Sequence, residues 1–146
     1  MATDAQPPQH LSTGEEDQEL VAALEAGLDS DNAATSGVAD QRSFFVRIGD
    51  EDGQLVAGLA GWTWGPCAGI SLVWVREDSR RTGCGAQLLA AAEDLVRGRG
   101  CNRVFVSSFT FQAPQFYERH GFVECARVED YPLDGTADVY LVKHLT

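Results

Sequence analysis

Lysine is almost missing from this chain. Lys143 is the only one among 11 basic residues, so no G-x-x-x-x-G-K-[ST] phosphate loop can form. A dinucleotide fingerprint fails as well, because Leu88 stands where the third glycine of G-x-G-x-x-G belongs. No apolar run approaches the length of a membrane span. The opening segment "MATDAQPPQHLSTGEEDQEL" is polar and acidic, which fits neither a signal peptide nor a transit peptide. Cysteine is sparse: Cys67, Cys84, Cys101 and Cys125 stand singly, with no C-x-x-C pair, as expected of reduced thiols in a cytoplasmic protein. His10, His120 and His144 lie far apart, and no His/Cys/Asp cluster marks a metal site. Positive charge is scarce too. The net charge is −11, and a duplex nucleic acid needs a broad basic surface that this chain lacks.

The 146 residues suit one domain with a real core, and 44% hydrophobic with 23% charged residues is a globular mix. No repeat or second domain is visible. Residues 1–13 carry no apolar period and read as a disordered polar tail, leaving 14–146 as the folded domain. The acids gather early, with 12 of 22 in residues 1–53, whereas six of the 11 bases lie between Arg76 and Arg103. That local concentration suits a small polyphosphate ligand, and the acidic remainder would favour a cationic second ligand.

The segment "GEEDQELVAALEAGLDSDN" predicts a helix starting at Thr13 or Gly14, with a stripe at Leu20, Val21, Leu24 and Leu28. "AATSGVADQ" follows as a linker or a short second helix. "SFFVRIG", "QLVAGLAGWTWG" and "ISLVWVR" predict three strands, joined by the turns "DEDG" and "GPCAG" into an antiparallel meander. A helix from about Gly83 to Val96 and the strand "NRVFVSSF" should add a parallel unit. A short helix in "APQFYERHGF" and the strands "VECARVEDY" and "ADVYLVKHL", around the turn "PLDG", complete the series.

The chemistry concentrates in "RRTGCGA", between an apolar strand and a helix. The first N–H groups of a helix have no partner inside it, and the helix dipole adds positive charge there. Glycines admit a ligand to the main chain, and arginines add fixed charge. The corner is therefore an anion seat suited to phosphate or pyrophosphate. The spacing of Arg80, Gly83 and Gly85 (R-x-x-G-x-G) after "LVWV", followed by "FYERHGF", resembles the GNAT superfamily of N-acetyltransferases. "FQAP" before "FY", and "EDYP" afterwards, resemble a group of small bacterial members. The resemblance implies an α/β fold of the acyl-CoA N-acyltransferase type, a mixed and mostly antiparallel sheet with a central splayed parallel pair. It also implies acetyl-CoA as donor, with no metal.

By that resemblance, Arg80 and the loop Arg81, Thr82, Gly83, Cys84, Gly85 and Ala86 would hold the pyrophosphate. The main chain of Val73, Trp74 and Val75 would meet the pantetheine arm, and the strand from Val104 to Ser108 would splay to admit it. Tyr117 matches the position of a general acid for the leaving thiolate; the alternative is a core aromatic beside Phe116 and Phe122. Thr110 stands where the family often has asparagine, with Gln112 or Ser108 as substitutes. Glu77, Asp78 and Asp130 are the carboxylates open to a general-base role, and a water chain is the alternative. Trp62 and Trp64 share a strand face and either line an acceptor site or pack. The expected partner is a small-molecule amine acceptor, with a homodimer as an option and no nucleic acid or membrane.

Overall fold

A computed structural model describes residues 9–146. The chain divides after Gly37 into two compact units, residues 1–37 and Val38–Thr146. Residues 1–8, where most of the expected tail falls, lie outside the described residues; positions 9–13 are exposed and carry no regular structure.

Helix α1 is Gln18–Ser36. It starts later than the sequence suggests, because Asp17 and not Thr13 or Gly14 is its N-cap: the Asp17 carboxylate accepts from Leu20 N at 2.9 Å. It also runs on through Ala33–Ser36, so the first four of the nine residues expected as a linker or second helix are its last turn. Gly37 closes it at φ 72°, its N–H donating to Ala33 O. None of its residues is buried.

The second unit is a six-stranded sheet. Its strands are β1 (Arg42–Gly49), β2 (Leu55–Trp64), β3 (Cys67–Val75), β4 (Arg103–Phe109), β5 (Val123–Glu129) and β6 (Ala137–His144), in the order β1-β2-β3-β4-β6-β5. Every pairing is antiparallel except β3 with β4, the predicted mixed sheet. Strand β3 begins at Cys67, three residues before the expected start, because Cys67–Gly69 already pair with Trp62–Trp64; only Gly65 and Pro66 make the turn. Helices α2 (Cys84–Gly98) and α3 (Pro114–Arg119) supply the other layer.

The core lies between the sheet and α2. Leu88, Leu89, Ala92 and Val96 form the buried stripe of α2, the 3.6-residue period of an amphipathic helix. They join Phe44, Ala57, Leu59, Val104, Val106, Val139 and Leu141 in one cluster. Arg99 pins the end of α2 to the sheet: its Nη1 donates to Ser43 O and Thr63 Oγ1, each at 3.1 Å, and its guanidinium lies 5.8 Å from the Phe44 ring centre.

One irregularity opens the sheet. Ala60 pairs with Leu72 and Gly61 with Ile70, so Ser71 is an extra residue bulged out of the β2–β3 ladder. A bulge bends its strand and increases the local twist. The β3–β4 ladder ends at this point, with Ile70 opposite Val106, while β4 stays on β6 as far as Phe109. Strand β3 thus swings away from β4, and the sheet opens.

Candidate active site

The opening is a cleft of about 830 Å³. One wall is Ile70–Val75 of β3; the other is Val106–Ser108 of β4 with Phe111–Ala113 of the following loop. Ser79–Arg81 and the start of α2 close one end, and Phe116, Tyr117, Arg119 and His120 line the α3 side. Residues Leu72–Val75 bond to β2 along one edge, while their other edge faces the cleft with no strand beside it.

The charge in this cleft is opposite to that of the chain. Arg80, Arg81 and Arg119 line it, and no aspartate or glutamate does, although acids outnumber Lys and Arg 22 to 11 overall. Gly83, in the left-handed region at φ 91°, is the N-cap of α2, and helix bonding begins with Gln87 N donating to Gly83 O. The N–H groups of Cys84, Gly85 and Ala86 therefore have no partner within the helix. Arg81 is itself left-handed, at φ 64°. Arg80 is held by its Nε donating to Val75 O at 3.0 Å. Gly85 has a second reason to be glycine: a Cβ there would come 3.0 Å from Phe116 Cζ, so it lets α2 approach α3.

Tyr117 lines the cleft yet is only 6% exposed. It meets Phe116 and Phe122 edge-on, at 5.2 and 5.5 Å between ring centres, so it packs in the core while also lining the cleft. Burial pushes its phenol above its ordinary value and keeps it protonated at neutral pH.

Val73, Trp74, Val75, Arg80, Arg81, Gly83, Gly85, Ala86, Ser108, Gln112 and Tyr117 all line the cleft. Thr82, Cys84 and Thr110 do not. The Thr82 hydroxyl donates to Ser79 O and lies 3.3 Å from Cys84 Sγ. Thr110 is tied to β6, its Oγ1 accepting from Ala137 N and its N–H donating to Ala137 O. Gln112 Oε1 accepts from Phe109 N at 2.8 Å and Ser108 Oγ accepts from Ala113 N at 3.3 Å, fixing the loop before α3.

Trp62 and Trp64 also lie outside the lining. Trp62 packs over Gly69 and edge-on to Phe105, and Trp64 donates its indole N–H to Val38 O. Of the carboxylates, Asp78 is engaged by Arg76 Nε at 2.7 Å, which holds it below its ordinary value. Asp130 accepts from Gly135 N in a turn, and Glu77 is exposed in a 3-10 turn away from the lining. Ser107 falls within the Val104–Ser108 strand expected to splay, whereas Phe111, Phe116, Arg119 and His120 carry no binding role in the sequence reading. The signal for Ser107 is its place in the splayed end of β4; the others belong to the "FQAP…FYERH" segment.

Among the described residues no group of His, Cys, Asp and Glu could hold a metal, and no helix is long and apolar enough to cross a membrane. The acetyltransferase (GNAT) family profile matches residues 12–122. The chain belongs to the GNAT acetyltransferase family. It is 39% identical over 99 residues to the blasticidin-S acetyltransferase of Streptomyces morookaense, covering 65% of this chain and 70% of that one. It is 32% identical over 108 residues to an acetyltransferase of Agrobacterium fabrum, covering 74% and 79%. A crystal structure described as a putative acetyltransferase from Agrobacterium tumefaciens superimposes with a TM-score of 0.86 at 29% identity, over 94% of this chain and 100% of that one. The protein is an acetyl-CoA-dependent N-acetyltransferase of this family. The cleft suits such a donor: an unpaired strand edge, a bare helix start and three arginines with no competing carboxylate.

Proposed function

We propose that the protein acetylates a primary amine of a small cationic molecule by direct attack in a ternary complex, and that blasticidin S is one acceptor to test. The observation that carries this reading is the contrast between an acid-free cationic cleft and a chain of net charge −11. A phosphate-bearing donor fits the first, and a positively charged acceptor is drawn by the second. The 39% identity to a blasticidin-S acetyltransferase supports the acceptor class.

When bound, acetyl-CoA supplies a thioester carbonyl carbon for the amine nitrogen: the C–N bond forms, the C–S bond breaks and the thiolate leaves. The N–H groups at the start of α2, with Arg80 and Arg81, hold the pyrophosphate. The free edge of Val73–Val75 meets the amides of the pantetheine arm. Ser108 and Gln112 keep the far wall in place. Tyr117 would donate its phenolic proton to the leaving sulfur, and the proton that the nitrogen sheds as the amide forms would pass to water and restore the phenol. Its Oη has no hydrogen-bond partner among the described residues, so the proton is not committed elsewhere.

The experiment is an assay of purified protein with acetyl-CoA and, separately, blasticidin S and a lysine-containing peptide. Free thiol and product mass are both followed. The expected result is thiol release with an N-acetylated blasticidin S. Acetylation of the peptide without the nucleoside would move the assignment to protein acetylation. No thiol release with any amine would leave a coenzyme-binding module without turnover.

A further inference from the structure

Asp138 is the anomaly in the second unit. It is 7% exposed, and its Oδ1 is sealed from solvent with no hydrogen-bond partner. Native proteins rarely leave a buried carboxylate oxygen unpaired, because the desolvation is uncompensated. Its neighbours Val139 and Leu141 point into the core, so Asp138 and Tyr140 stand on the opposite face of the sheet.

On that face the surroundings are aromatic. Asp138 is directly opposite Phe109 on β4, and Tyr140 is opposite Ser107. Phe109 stacks on Phe111 at 5.2 Å and meets Tyr131 at 5.1 Å between ring centres. Asp138 and Tyr140 share this face two residues apart on β6; the charge of Asp138, with a side-chain hydrogen bond to it, pushes the Tyr140 phenol upward and leaves Oδ1 as the oxygen without a partner. Tyr131 is held by its own loop: Thr136 Oγ1 donates toward Tyr131 O and Leu133 O, and Asp130 Oδ1 accepts from Gly135 N. Ser107 and Phe111, which adjoin this patch, are also cleft residues. A buried carboxylate with aromatic faces around it is the chemistry that selects an organic cation.

We propose that Asp138, with Phe109, Tyr131 and Tyr140, seats an ammonium or guanidinium group of the acceptor beside the cleft. The nitrogen that attacks a thioester must be neutral, whereas this seat favours a charged group. The seat therefore holds a second cationic group, and the preferred acceptors carry at least two. This inference rests on the cationic-acceptor reading above.

The test is a set of thermal melts in n-butylammonium chloride, with sodium chloride and butan-1-ol at matched concentrations as controls. The wild type should gain several degrees in Tm with butylammonium alone. Asp138→Asn keeps the shape, removes the charge and should lose that gain. Tyr131→Leu, at a half-exposed position, keeps the fold and should show a reduced gain. With blasticidin S as acceptor, Asp138→Asn should raise its KM at least about tenfold, leaving the KM of acetyl-CoA unchanged. A butylammonium gain equal in wild type and Asp138→Asn, or absent from both, overturns the seat. A gain lost in Asp138→Asn, in a protein that does not acetylate blasticidin S, supports the seat and removes that acceptor.

Discussion

Strands β3 and β4 run side by side, and their two halves behave differently. In the first half, Cys67–Ile70 pairs with Arg103–Val106, Ala68 is fully buried, and Gly69 lies under Trp62. In the second half, Ser71–Val75 and Ser107–Phe109 have separated, and the residues between them line a cleft. Composition does not separate the halves, since both are apolar with small residues interspersed. The difference is one bulged residue, Ser71, which turns β3 off the ladder. The closed half holds the sheet together, and the open half leaves backbone groups for a ligand. Substitutions in the two halves should therefore fail in different ways.

The largest effect belongs to β2 where it backs the closed half, with Gly61 paired to Ile70. A Cβ on Gly61 would lie 2.2 Å from Gly69 O and 2.8 Å from Phe44 Cζ. The first contact is with backbone, so no rotamer change relieves it. Gly61→Ala must shear β2 against β3, and we expect a loss of about 3 kcal/mol or more, about 10 °C in Tm. Ser71→Ala, at an exposed position, should barely move Tm. Equal melting of the two variants would show that the halves do not differ in this way.

Next comes the open half's helix start. Gly83 has open space around it but a φ of 91°, beyond the left-handed region that side chains reach without strain. Gly83→Asp should therefore lower Tm through backbone strain, while the turns of α2 beyond the first, held by its buried stripe, stay folded. Its charge would stand at the proposed pyrophosphate seat. Two unit charges about 5 Å apart repel by about 3 kcal/mol at an effective dielectric of about 20, so acetyl-CoA affinity should fall by a factor on the order of 10². Calorimetry measures the affinity, and circular dichroism checks the fold. Unchanged affinity would take the phosphate seat away from this corner.

The sequence carried some of this contrast and not the rest. The α2 stripe, the glycine corner and the element order are local: periodicity, φ requirements and dipole chemistry are written in adjacent residues. The start of α1 was misplaced because Thr13, Gly14 and Asp17 are all competent caps, and only the bond from Leu20 N chooses among them. The bulge at Ser71 is invisible because it is a property of register between two strands. Asp138 escaped notice for the same reason: "ADVYLV" reads as alternation, and only packing shows that its polar residue is buried. Trp62 drew attention by type, but its place over Gly69 is a cross-strand fact.

Tyr117 joins the two halves, since it belongs both to the core cluster and to the lining of the cleft. Tyr117→Phe keeps both edge-on ring contacts and removes only an oxygen without a hydrogen-bond partner among the described residues. Tm at neutral pH should therefore change by no more than about 2 °C. If the phenol protonates the leaving thiolate, kcat should fall by a factor on the order of 10², with acetyl-CoA affinity unchanged. The pH dependence separates the two roles. The acceptor ammonium must lose a proton to attack, which gives a rate that rises with pH in both proteins. In the wild type the rate should then fall, because the acid is lost once the phenol ionises. Burial places that ionisation above the ordinary phenol value of about 10. Stability follows the same sign. The fold favours the neutral phenol, so its contribution is complete below the unfolded-chain value and is lost as pH rises through the raised folded value. The phenylalanine variant should show neither the alkaline fall in rate nor that alkaline loss of stability. A variant with undiminished kcat that still melts earlier would make Tyr117 a packing residue and move the acid to another group or to water.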